Sequence, residues 1–251
     1  MEDLKIDPTI SYDVVELPSR GIHYPGGKKT VRVSYLTAAD ENILSSPNLV
    51  ASGGIIVELL KRKVLDKDIE ADDIVEEDRQ AILIFLRNTS FGPEYHLSNL
   101  IDPKTKEKFD ATIDLSVLKL KDFTLVEDLN GEFPYFLEKC GINITFKYLS
   151  NKQEIELQKI GDSWNGIGAA PIVTKRLEMM IKSVNGNRNP MEIHNFIENK
   201  LPIKDSQDFK KFAAQNKPGL DLTQSIETPS KEVIQTEIGF GVEFFRPFYG
   251  L

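Results

Sequence analysis

Three histidines, His23, His96 and His194, and one cysteine, Cys140, are the side chains best suited to metal binding or nucleophilic chemistry. No two histidines stand four apart, the spacing that aims two imidazoles from one helix face at a zinc ion. Cys140 has no partner close in sequence for a Cys–His pair. The run Asp66-Lys67-Asp68-Ile69-Glu70-Ala71-Asp72-Asp73 has the carboxylate density of a calcium loop. It places Ala71 where the sharp turn of an EF-hand requires glycine, so it reads as a solvated acidic segment between helices. Gly53-Gly54 precedes a helical stretch but is not followed by the Lys-Ser/Thr of a phosphate-binding loop. No serine sits in a Gly-x-Ser-x-Gly elbow. We therefore expect no catalytic residue, no cofactor and no metal site, and a protein that works through contacts.

The C-terminal run offers such contacts. Phe244, Phe245, Arg246, Phe248 and Tyr249 put four aromatic rings and a guanidinium into a short stretch. Buried aromatic and arginine side chains dominate interface energetics. Read as a final strand, the run sends the adjacent Phe244 and Phe245 to opposite faces.

Composition bounds what those contacts serve. The chain of 251 residues is 40% hydrophobic, enough to bury a core. A net charge of −8 argues against nucleic acid as a partner, since phosphate binding needs a concentrated positive surface. The longest apolar run, 81–86, ends at Arg87, far short of the roughly 20 residues of a membrane span. Met1-Glu2-Asp3-Leu4-Lys5 does not read as a secretion signal. A lone cysteine fits a reducing compartment.

The elements that must position these residues occur twice. Leu17-Pro18-Ser19-Arg20-Gly21-Ile22 precedes the alternating stretch Val31 to Thr37. Leu137-Glu138-Lys139-Cys140-Gly141-Ile142 likewise precedes Ile144 to Ser150. Each alternation has the period of a half-buried strand, and each glycine falls where a hairpin reverses. Thr37 with Asp40, and Ser150 with Gln153, then form capping boxes that open helices. Two helical stretches follow in each half; Leu60, Phe85 and Leu177 on the helices and Phe146 on its strand lie on apolar faces and are expected to be buried. The second half adds a helix from Asn189-Pro190 to about Leu201, and its helical spacing from Val173 continues through Ile181 and Val184 to Gly186. Each half closes in extended segments around a proline turn, Asp102-Pro103-Lys104 and Thr228-Pro229-Ser230. The expected fold is α+β: two similar units by internal duplication, residues 10–128 and 129–251, each a β-hairpin followed by helices and a closing small antiparallel sheet. The first hairpin is distinguished by an inserted turn that carries Tyr24, Pro25 and Lys28. Insertions into repeats often bind partners, so these three join the tail as contact candidates.

The order Leu17-Pro18-Ser19-Arg20-Gly21, Thr37-Ala38-Ala39-Asp40-Glu41, Asp78-Arg79 and Phe91-Gly92-Pro93-Glu94-Tyr95 resembles the baseplate hub family of T-even-type contractile-tailed bacteriophages, and the related tail assembly chaperones of other myophages. Pro218-Gly219-Leu220-Asp221 and Phe244-Phe245-Arg246-Pro247 agree. The resemblance implies a structural or assembly role in the tail baseplate hub, without catalysis. Its partners would be other baseplate hub and tail proteins, and its place the virion tail baseplate, with the host cytoplasm during assembly. The alternative it leaves open is a tail assembly chaperone that binds the tape-measure protein and is absent from the mature virion. The family also suggests zinc-ribbon-like knuckles in the closing hairpins, but here those turns hold no cysteine.

Overall fold

The computed structural model describes residues 9–52, 54–164, 166, 168–240 and 242–245. The chain forms two compact units, residues 1–121 with 219–251, and residues 122–218.

The first unit opens with an antiparallel hairpin of β1 (Tyr12–Glu16) and β2 (Thr30–Ser34), with Val15 opposite Val31. Gly21 turns the chain between them at φ +83°, where a Cβ would lie 2.4 Å from the Gly27 carbonyl carbon, so only glycine fits. The Asp40 carboxylate reaches back to the Thr37 N–H at 2.7 Å, as the capping box requires. Helices α1 (Glu41–Leu44), α2 (Pro47–Ser52), α3 (Ile55–Lys63) and α4 (Glu76–Phe91) follow. Leu59 and Leu60 of α3 meet Val33, Ile82 and Leu86 in a core from which water is excluded. Each such buried side chain contributes about 1.5–3 kcal/mol. Phe85 departs from expectation: it is only partly buried, stacked on Tyr35 at the edge of that core. Gly92, at φ +81°, stops α4, and the chain enters the hairpin β3 (Glu94–Ile101) and β4 (Lys108–Asp114).

The second unit is a three-stranded antiparallel sheet, β5 (Phe133–Leu137), β6 (Ile142–Phe146) and β7 (Ile181–Val184), in that order. Helices α5 (Asn151–Ser163), α6 (Ile172–Met180), α7 (Pro190–Asn199) and α8 (Ile203–Gln215) belong with it. Its core is aromatic: Phe146 meets Phe209 edge-on at 5.1 Å and Phe133 at 5.6 Å. The helix expected to run through Val184 ends instead at Met180. Ile181 and Ser183 are buried and Lys182 and Val184 half-buried, the alternation of a strand. Asn185 and Gly186, both at positive φ, make the tight turn after β7.

The chain then returns to the first unit with β8 (Thr223–Glu227), β9 (Val233–Glu237) and a 3-10 turn at Val242–Phe245. Leu120 bridges Leu220, and the Lys121 N–H donates to the Gly219 carbonyl at 2.8 Å. This pairing explains why the boundary differs from the expected division at 128/129. The closing hairpin of the second half packs with the first unit, and residues 122–218 form an insertion between the bridged segments 119–121 and 219–221. Among the described residues no helix is long and apolar enough to cross a membrane.

Candidate functional site

The inserted turn of the first hairpin divides into an inner and an outer part. Tyr24 points inward and is buried. Its hydroxyl donates to Asp78 Oδ2 at 2.6 Å and accepts the Val75 N–H at 3.2 Å. The same carboxylate receives the Ser19 N–H at 2.8 Å and hydroxyl at 2.6 Å. Burial raises the Asp78 carboxyl above its ordinary range, against the pull of these donors. Burial first, and then the adjacent Asp78 charge, push the Tyr24 phenol well above its usual range. Tyr24 thus fastens the turn to α4 and is not open to a partner. Pro25 begins a single 3-10 turn at Pro25–Gly27. Lys28 lies on the outer side, bridging Asp66 at 3.0 Å and Asp68 at 2.6 Å. Arg32 also holds Asp66, at 2.7 Å. Val14, Lys28, Arg32 and Asp68 line a groove of about 680 Å³.

Phe244 and Phe245 are core residues of the first unit and do not face solvent. The alternation rule misplaces them because the backbone here is a 3-10 turn, which lets neighbouring rings enter one core. Arg87 fixes this turn. Its guanidinium, 1% exposed, donates to the carbonyls of Phe244 at 3.0 Å, Gly92 at 2.6 Å and Glu94 at 2.7 Å. It also lies over the rings of Tyr95 and Phe244. Arg246, Phe248 and Tyr249 lie outside the described residues.

The closing turns are joined by hydrogen bonds. Asp102 accepts the Lys104 N–H at 2.8 Å, the Thr105 N–H at 3.2 Å, the Ser230 N–H at 3.0 Å and the Ser230 hydroxyl at 2.8 Å. Burial opposes its charge, but these donors outweigh it and hold the carboxyl well below the usual range. One carboxylate thereby ties the β3–β4 turn to the β8–β9 turn.

Sequence reasoning missed a trio in the second unit. Glu178 of α6 and His194 and Glu198 of α7 each place a ligand-capable atom within 4.8 Å of the others. A His194 ring nitrogen, Nδ1, lies 2.7 Å from Glu178 Oε1, while Lys175 holds Oε2 at 2.7 Å. Burial resists the Glu178 charge, but the bonds from Lys175 and His194 lower its carboxyl below the ordinary range. The signal was His194-x-x-x-Glu198, an i, i+4 pair hidden from a search for paired histidines alone.

With this geometry in place, the family model of the T4 bacteriophage base plate protein matches residues 18–246. The chain belongs to that family. Comparison with curated proteins and with solved structures returned no match. The family makes this a structural protein of the phage baseplate, with the virion tail as its place and other baseplate or tail proteins as its partners.

Proposed function

We propose that this chain is a component of the baseplate hub of a contractile tail, assembled through protein–protein contacts and without catalysis, and present in the host cytoplasm while the tail is built. The observation that carries the reading is the family match along nearly the whole chain. Lys28 and the groove beside it form one contact surface in this reading. The segment after the anchored Phe245, with Arg246, Phe248 and Tyr249, forms the other. The rival role, a chaperone holding the tape-measure protein on the acidic segment, has less support. That role calls on the acidic stretch 66–78, whose end residues Asp66 and Asp78 are buried and engaged within the fold, so the stretch offers a partner less charge than its composition suggests.

Mass spectrometry of purified particles, with co-expression and capture of hub proteins, tests the reading. We expect the protein in the particles and in complex with hub proteins. Its absence from particles, with capture of the tape-measure protein instead, would move the assignment to the chaperone. Deleting 247–251 tests the tail. Lost assembly with an unchanged melting curve is expected, and wild-type assembly would remove the tail from the interface.

We also read the two units as copies of one ancestral unit. In each, a carboxylate in the first turn of the last helix accepts N–H groups from the hairpin turn. Asp78 takes that of Ser19, and Asp205 those of Lys139 and Cys140, both at 2.9 Å. The Val33–Val64 bridge after α3 corresponds to the β6–β7 pairing after α6. The closing sheet is not repeated in the second unit, because β8 and β9 belong to the first.

A further inference from the structure

We propose that the second unit carries a surface site for a divalent first-row transition cation, with Glu178, His194 and Glu198 as its protein ligands. The pair on α7 is set by helical geometry: residues four apart lie on one face, one turn from each other. Asn189 caps that helix through the Met191 N–H, and Pro190 occupies its first turn, so the face is fixed from its start. Glu178 projects from α6 onto the same spot, close enough for Oε1 to contact the His194 ring at 2.7 Å. Ligands on two regular helices are held more precisely than ligands on loops.

The donor set selects the class of ion. Magnesium and calcium take oxygen ligands, usually several carboxylates, carbonyls and waters. One imidazole with two carboxylates suits zinc, cobalt or nickel, and three protein ligands leave a position for water. The side chain of His194 is 55% exposed, so an ion can reach it from solvent. Lys175 bonds the far oxygen of Glu178, which orients the carboxylate as an outer partner orients a metal ligand and leaves Oε1 toward the site. The bland account of the same contacts is a hydrogen bond stapling α6 to α7. The two accounts differ in whether the third residue, Glu198, matters.

The test uses the full chain, freed of metal, titrated with Zn²⁺ by calorimetry and with Co²⁺ by visible absorption. We expect saturable binding of both, and a cobalt spectrum of a nitrogen–oxygen site. His194→Ala and Glu198→Gln should each weaken binding by about 10–100-fold or more. Circular dichroism should be unchanged, since both positions are exposed. His23→Ala and His96→Ala should bind like the parent. Absence of zinc binding at millimolar ion, binding that survives His194→Ala, or a preference for Mg²⁺ or Ca²⁺ would each overturn the proposal. Unchanged affinity in Glu198→Gln would reduce the trio to the helix staple.

Discussion

Arg87 and Phe244, 157 positions apart in sequence, meet in the core of the first unit: the Arg87 Nε donates to the Phe244 carbonyl at 3.0 Å, and the guanidinium carbon lies 5.6 Å from the centre of its ring. A buried cation is costly unless it is hydrogen-bonded, and here each of the three guanidinium nitrogens donates to a carbonyl. Burial lowers the affinity of this guanidinium for its proton without removing its charge.

Arg87→Met should therefore destabilise the first unit by about 2–4 kcal/mol, because the Phe244, Gly92 and Glu94 carbonyls lose their partner. Arg87→Lys should recover little, since one ammonium cannot reproduce a planar fork. Chemical unfolding of the three proteins decides it. A lysine variant as stable as the parent would mean that charge, not geometry, matters here.

Asp78→Ala should cost about 2–4 kcal/mol by stranding the Ser19 donors and the Tyr24 hydroxyl. Tyr24→Phe should cost about 1 kcal/mol. Because the folded Asp78 carboxyl is raised, the native state holds its proton more tightly than the unfolded chain does. This group's contribution is greatest below about pH 4 and is lost as pH rises through its folded value. Asp78→Asn should flatten that dependence in urea unfolding followed against pH.

Asp66 behaves oppositely. Burial opposes its charge, but the Arg32 bonds and Lys28 win, so its folded value is depressed. Its contribution is complete above about pH 4 and disappears as pH falls through that lower value. Asp66→Asn should lose more stability at pH 7 than at pH 3. Equal losses at both would show that the carboxylate charge is not the source.

In the second unit, Phe146→Ala should cost about 3–5 kcal/mol and Leu177→Ala about 2–5 kcal/mol, since both are fully enclosed. Phe85→Ala in the first unit should cost less, because its ring is only partly covered. Denaturant midpoints for the three give the ranking directly, and Phe85 ranking first would contradict it.

Chelation with EDTA should leave the unfolding of the first unit unchanged, because Asp102 and Ser230 join the closing turns by hydrogen bonds, whereas metal held at Glu178, His194 and Glu198 would stabilise only the second unit. Asp102→Ala should destabilise the first unit. A loss of first-unit stability on chelation would place a structural metal in the closing turns.

Local signals were legible in the sequence. The Ser150–Gln153 box, the Asn189-Pro190 start of α7 and both hairpin glycines were read from neighbouring residues, which is where their physics lies. The strand at Ile181–Val184 was misread although Asn185-Gly186 marks a hairpin, because the apolar spacing also fits a helix. The C-terminal turn and the true boundary were not legible. Both depend on contacts between segments far apart in sequence, Arg87 with Phe244 and Leu120 with Leu220, which no local pattern encodes. The trio of Glu178, His194 and Glu198 was half legible, as a spacing on one helix without its third member.

The pairing of residues 119–121 with 219–221 also sets an order in time. A ribosome delivers β1 to β4 first, yet the core they enclose lacks Leu222, Ile238, Phe244 and Phe245 until those later residues have been made. Residues 122–218 must be made in between, which takes on the order of 5–20 s at about 5–20 residues per second. The contiguous unit can therefore finish folding on the ribosome while the discontinuous one waits with its apolar face uncovered. That interval is when a nascent chain of this kind is most exposed to aggregation, and the arrival of Leu222 to Phe245 is what ends it.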